Sequence, residues 1–487
     1  MNGGTRQAAL CLAALGVLAL FGAAGQSPTG LPASAVSADS TSTTAATLAL
    51  TAAAGSTETT TTSTSTSTST PDSTTTPPTT AASRNIEFVV YPSTATATVT
   101  VTPDPGSSTR VSSPVSVTAA GLLEVEVEAE GYRSEHFTVP AEIEGTYEVF
   151  LDPPDQLVDR RAVWTTGAAP KQVAFTPDGS ELWVTLLAGS GLEVYDPANG
   201  ALLAAIDLPE AGSVEVIFDS TGQTAFVSQM ETASVYEIDV ATRQIRRTLD
   251  TGGSWTKVMV LDPDGERLWA SNWVSNDVSE FDLATGELVR RIPTVATPRG
   301  LAIDAEGTRL YVAGYDSGDI EVIDLATGEG TVIADTGGAM RHLVAGPESN
   351  LIYASDMALD QIFAIDTRTD TVEPIADTDR LPNTVDISPD GQVLAVSNRG
   401  RNNPETYYLP GPEWGSILLI DAASGAILDA IVGGNQPTGL DLSADGTLLA
   451  YSDFLDNRVT VLSVPSTADL RAGGGGRADT YRNELSK

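Results

Sequence analysis

Between residues 164 and 464 the chain returns seven times to one turn. Asp178-Gly179, Thr221-Gly222, Asp264-Gly265, Glu306-Gly307, Glu348-Ser349, Asp390-Gly391 and Asp445-Gly446 have their second residues spaced 43, 43, 42, 42, 42 and 55 apart. A second marker keeps the same period: Asp196, Asp239, Asp282, Asp324, Asp366 and Asp421 lie 43, 43, 42, 42 and 55 apart. Between the markers run short alternating apolar segments, with turns such as Ala284-Thr285-Gly286 and Ala326-Thr327-Gly328. Tight Gly turns joining such segments make antiparallel hairpins. A four-stranded unit repeating every ~40–45 residues is a propeller blade, because one blade cannot bury its faces alone.

The expected fold is therefore all-β: a seven-bladed β-propeller of four-stranded antiparallel blades over residues 156–465. The seventh unit ends near Val464 with only three strands, which would leave a sheet edge open. Residues 160–166 (RRAVWTT) precede the first blade as residues 290–294 (RRIPT) precede the fourth. They are expected to be the missing outer strand of blade seven. The 55-residue interval places about thirteen extra residues, near 399–413, between the second and third strands of blade six.

The repeats resemble the YVTN β-propeller family. Its namesake segment matches Trp183-Val184-Thr185-Leu186, Trp269-Ala270-Ser271-Asn272, Tyr311-Val312-Ala313-Gly314, Tyr353-Ala354-Ser355-Asp356 and Ala395-Val396-Ser397-Asn398. The family's proline at the blade entry is met by Pro170, Pro298, Pro382 and Pro437. Seven-bladed relatives include lactone hydrolases, some with channel calcium held by Glu, Asn and Asp. The resemblance thus implies either a binding scaffold or a lactonase-type hydrolase.

Ahead of the repeats the chain changes character three times. Residues 1–25 read as a secretory signal, with Arg6 before an apolar stretch and small residues at Gly22 and Ala24. The stretch is short of the ~20 residues a membrane span needs, which favours cleavage over retention as an anchor. Residues 26–84 are Ser, Thr, Ala and Pro, too polar to bury a core, and are expected to form an extended stalk. That composition suits either O-glycosylation or a plain spacer. Residues 85–154 read as a small β-sandwich, with strict alternation in Leu123-Glu124-Val125-Glu126-Val127-Glu128. With Gly131-Tyr132 and Val149-Phe150-Leu151 they resemble the PEGA-type β-sandwich of bacterial surface proteins. A disordered tail is expected over residues 466–487, around the run of glycines at 473–476.

Composition closes several routes to function. The formal net charge is -38, which repels nucleic acid and anionic membrane surfaces. The only Cys, Cys11, lies in the signal stretch, and His136 and His342 are the only histidines. No disulfide, thiol nucleophile or His cluster is expected in the exported protein. No cofactor is required, although Glu215, Asn272, Asp356, Asn383, Asn398 and Asp453 offer oxygens of the kind calcium prefers. The expected protein is an exported monomer at the cell surface or outside the cell, with no further membrane segment.

The candidate site comes from counting eight residues back from each turn. Those positions open the first strand of each blade at the channel mouth and hold Lys171, Val214, Lys257, Arg299, Arg341, Asn383 and Thr438. Four of the seven are cations in a chain with 26 basic and 64 acidic residues. Trp255, Trp273, Tyr315 and Phe454 fall in loops on the same face, with Tyr407, Tyr408 and Trp414 in the insertion. Lys171, Lys257, Arg299, Arg341, Trp255, Trp273, Tyr315 and Asn383 are therefore the expected ligand-binding residues. The ligand class is an anionic glycan or a protein, acidic saccharides foremost. The alternative is internal pairing of the cations with Glu215, Asp356 or Asp453.

Overall fold

The computed structural model describes residues 83–487, apart from 94, 104–108, 113, 120–122, 140–144, 348–349 and 474. The expected signal segment and, but for Ser83 and Arg84, the expected stalk lie outside the described residues. Each repeat is a four-stranded antiparallel sheet in simple meander order. Blade one, for example, runs through Pro170–Phe175, Leu182–Leu186, Gly191–Tyr195 and Leu202–Asp207. Blade seven takes its outer strand from the far end of the domain, since Asp159–Thr165 pairs antiparallel with Arg458–Ser463. The N-terminal strand therefore covers the edge that the three C-terminal strands of blade seven would leave open.

The repeat markers act locally. In blades two to four Asp239, Asp282 and Asp324 accept from both the N–H and the hydroxyl of Thr242, Thr285 and Thr327. These are side-chain turns of the kind Asp and Thr favour, with Gly286 and Gly328 at φ 76° completing the last two. The second strands carry the core. Trp183 and Tyr311 have no exposed surface, and each packs between its own blade and the next.

The N-terminal module is two packed sheets. One joins Val115–Ala119, Arg84–Tyr91 and Gly145–Phe150, the other Thr109–Ser112, Ala97–Pro103, Leu123–Ala129 and Glu135–Val139. Leu123, Val125 and Val127 face its core while Glu124 and Glu126 stay wet. Phe150 and Tyr91 pack on Trp414, joining this module to the insertion of blade six.

The C-terminal segment corrects the expectation of disorder. Thr467–Ala472 is a short α-helix, and Gly476–Asp479 and Tyr481–Glu484 are 3₁₀ turns. Ser466 caps the helix by accepting from Asp469 N–H at 3.2 Å. Leu470 and Tyr481 are buried, and Arg477 pairs with Glu484 against the outer strand Ile427–Val432. The glycines mask two apolar anchors and a buried ion pair. Among the described residues no helix is long and apolar enough to cross a membrane.

Candidate functional site

Every innermost strand carries a register shift just where it enters the channel, as between Ser213 and Val216 or between Pro382 and Val385. A bulge sets two residues against one on the partner strand, so two successive side chains can reach the same space. Lys171 and Gln172, Val214 and Glu215, Arg341 and His342, and Asn383 and Thr384 accordingly line one cavity in pairs. Arg299 and Thr438 complete its wall, and the space between these side chains, open solvent included, is about 240 Å³.

The second strand of one blade anchors the mouth residue of the next. Thr185 Oγ1 donates to Val214 O at 3.0 Å, and Ser271 Oγ to Arg299 O at 2.9 Å. Ser228 reaches Lys257 O, Ser355 reaches Asn383 O and Ser397 reaches Thr438 O in the same way. The repeated Ser or Thr thus fixes the backbone that presents the site. Blade four, with Ala313 there, lacks this bond.

Five cations converge on the mouth: Lys171, Lys257, Arg299, Arg341 and, from the insertion, Arg399. Among the described residues none has a carboxylate within 4.0 Å. Burial, then the neighbouring guanidiniums Arg341, Arg299 and Arg399, lowers Lys171 well below the usual range of an amine. Burial and Arg299 do the same to Lys257 and Arg341, and burial pushes Arg299 down to about 10. Like charges gathered out of water disfavour their own ionisation. Arg299 Nε, Arg399 Nε and Asn383 Nδ2 are buried without a hydrogen-bond partner. Arg341 Nε donates to Asn383 Oδ1, and Arg399 to Gln436 Oε1.

Glu215 is the carboxyl of this cavity, and burial pushes it up to about 7 against the pull of Arg299, Lys171 and Arg341. His342 donates from Nδ1 to Val385 O at 3.1 Å, and burial, with Arg299 and Arg341, pushes it down to about 4. Deeper in the channel Asp386 and Asp441 lie on the innermost strands of adjacent blades, both raised by burial. Asp441 accepts from Phe175 N–H and Asp386 from Leu442 N–H, each at 2.7 Å. The channel therefore runs from a positive mouth to a protonatable floor.

Of the eight expected residues, Lys171, Arg299, Arg341 and Asn383 line the cavity itself. Lys257 sits beside it, with Nζ 2.8 Å from Met230 Sδ and 5.3 and 5.2 Å from the rings of Trp255 and Trp273. Trp273 also lies under Arg299 and against Tyr315, with ring centroids 4.8 Å apart. These aromatics shelter the cations. Trp414 is buried against Phe150 and lies apart from the mouth. Asp356 and Asp453 do not pair with the mouth cations: Asp356 caps its own loop, and Asp453 holds Arg458 at 2.9 Å. Arg399 lies eight residues after its turn, the repeat position that Trp273, Tyr315 and Phe454 hold in other blades, and its N–H bonds Leu381 O as theirs bond Trp255 O, Thr297 O and Gln436 O, so counting forward from the turn finds it. Glu215, Gln172, His342 and Thr384 follow the counted position by one, so the bulge was the missing signal.

The residues with calcium-type oxygens do not assemble. Asn272, Asp356, Asn398 and Asp453 end the second strands of four different blades, while Glu215 and Asn383 stand among the cations. Five basic side chains make the mouth a poor host for a dication.

The family model described as "Lactonase, 7-bladed beta-propeller" matches residues 166–337, which span blades one to four. "Antigen Lp49" of Leptospira interrogans serogroup Icterohaemorrhagiae serovar copenhageni (strain Fiocruz L1-130) is 46% identical over 81 residues. That stretch is 16% of this chain and 18% of the antigen, so the chain spans less than a fifth of that relative's length. Among solved structures, "Kuenenia stuttgartiensis Hydrazine Synthase" superposes with a TM-score of 0.53 at 19% identity. The superposition covers 62% of this chain and 97% of that one. At such identity the likeness is one of fold, and the fold is that of a seven-bladed β-propeller.

Proposed function

We propose that this is an exported binding protein whose propeller captures an anionic group at the channel mouth. The observation that carries this reading is the set of five cations converging with, among the described residues, no carboxylate within 4.0 Å. Bringing them together is unfavourable unless something negative arrives, and Glu215 with Glu231 near Lys257 does not balance five cations. The lining guanidiniums suit the terminal sulfate, phosphate or carboxylate of a larger ligand, with the saccharide body outside against Trp273, Tyr315 and Tyr407. The N-terminal sandwich serves as a spacer that holds the propeller away from the cell.

The lactonase match over blades one to four favours a second reading, a hydrolase acting on an anionic lactone, with Glu215 available for proton transfer. Titration calorimetry with sulfated and carboxylated saccharides, for wild type beside the Arg299→Ala/Arg341→Ala variant, tests the first reading. Binding that weakens with salt and is lost in the variant supports it. No binding of any acidic saccharide, or binding that survives in the variant, refutes it. Turnover of a lactone panel by wild type would move the assignment to the second.

A further inference from the structure

The chain has 26 basic residues, of which only Lys171, Lys257 and Lys487 are lysines. Where charge alone is needed it uses arginine, yet two of its three lysines stand at the channel mouth. The difference between the two side chains is chemical. A guanidinium stays protonated and cannot attack, whereas a buried amine beside other cations sheds its proton and becomes a nucleophile.

The surroundings separate the two lysines. Lys257 is packed against Met230 Sδ between Trp255 and Trp273, and it does not line the cavity. Lys171 does line it, 5.4 Å from the Phe454 ring and partly open to solvent. Across the cavity stand Arg299 and Arg341, spaced by one blade, with Glu215 and His342 between the walls. Two guanidiniums to hold a carboxylate, an amine without an acidic partner, and a carboxyl to move protons form a constellation for carbonyl chemistry.

We infer that Lys171 forms a reversible imine with a small 2-oxo acid whose carboxylate is held by Arg299 and Arg341. The inference rests on the anion-site reading above. The amine lone pair attacks the keto carbon, and the keto oxygen takes a proton from Glu215 in its acid form. The nitrogen then gives a proton back to Glu215. The hydroxyl of the resulting carbinolamine leaves as water after taking that proton again, and the second nitrogen proton returns from the protonated imine to Glu215, restoring its acid form. Atoms balance as amine plus ketone giving imine plus water, with no oxidant or cofactor. Burial favours the acid form of Glu215 against the pull of the cations, and burial together with the neighbouring guanidiniums favours the neutral amine of Lys171.

The test is borohydride trapping with glyoxylate, pyruvate and 2-oxoglutarate, followed by peptide mass mapping, which three lysines make unambiguous. The expected result is one reduced adduct at Lys171, about tenfold or more above Lys257 and Lys487, suppressed by excess sulfate. Lys171→Arg should lose the adduct, whereas Lys487→Arg, outside the cavity, should keep it. Equal labelling of all lysines, labelling indifferent to sulfate, or no adduct with any of the three acids overturns the imine. Calorimetry with sulfate separates the two claims. Sulfate bound without an adduct sinks only the imine, whereas sulfate unbound and no adduct sinks the anion site as well.

Discussion

Two sets of buried cations sit in this molecule and behave oppositely. At the ring closure, Arg160 meets Asp152 at 3.0 Å and Arg458 meets Asp453 and Asp456 at 2.9 and 3.3 Å. Burial alone would lower both guanidiniums, yet these carboxylates outweigh it and hold them above their usual range. At the channel mouth burial acts on Arg299 and Arg341 without such partners, and both are lowered. The same residue type in the same propeller is thus paired where it joins the N-terminal module to the closing strand. It is unpaired where seven strands meet. Removing a partner should harm the first set, and removing the cation itself should relieve the second.

The largest effect is expected at the closure. Asp152→Ala takes the bonded carboxylate from buried Arg160 and leaves only the more distant Glu135 to offset it, and breaking such a pair costs about 3–5 kcal/mol. Denaturant melts should show the loss as a lower midpoint. A cost under about 1 kcal/mol would mean the pair behaves as an exposed one, and the contrast with the mouth would lose half its basis.

How much of this contrast can be read in advance depends on which interactions repeat. The blades were legible because turn and strand-end residues recur every 42 or 43 positions, and so was the ring Lys171, Lys257, Arg299, Arg341 and Asn383. Whether those cations are paired was not legible. Pairing depends on where Glu215, Asp356 and Asp453 point, and only Glu215 turns inward, because of the bulge. Arg399 escaped because the count for cations ran back from each turn, and not forward to the loop position it shares with Trp273, Tyr315 and Phe454. The ordered C-terminal segment escaped because composition weighs its glycines and not the burial of Leu470 and Tyr481.

A second test sharpens the mouth side of the comparison through pH. Glu215 is raised from its ordinary 4.5 to about 7, so the native state holds its proton more tightly than the unfolded chain does. The stabilisation is complete below pH ~4.5 and is lost as pH rises through about 7. Glu215→Gln has no such proton to lose. The stability of the variant relative to wild type should therefore climb by up to about 3 kcal/mol from the acid to the neutral end of that window. A difference that stays flat with pH would place Glu215 in contact with a cation after all, and would return the mouth to the paired class.

The smallest effect, and the most telling in sign, is expected from Arg299→Met. Arg299 has a buried Nε without a partner and no carboxylate within 4.0 Å among the described residues, so its loss strands no hydrogen bond of its own side chain. What the substitution removes is repulsion toward Lys171, Lys257 and Arg341, each of which Arg299 lowers. What it gives up is attraction to Glu215 and part of the contact with Trp273. Replacing buried charge by an apolar chain of similar length is often neutral or stabilising, here by about 1 kcal/mol. That is opposite in sign to Asp152→Ala. Sulfate should then reverse the order. At a concentration a hundredfold above its dissociation constant a ligand adds about 2.7 kcal/mol to a wild type that binds it, and less to a variant that binds it poorly. The two melting curves should cross between buffer and saturating sulfate. If Arg299→Met is destabilising in both, the cation is held by the fold rather than kept for a ligand, and the two sets of cations are one kind.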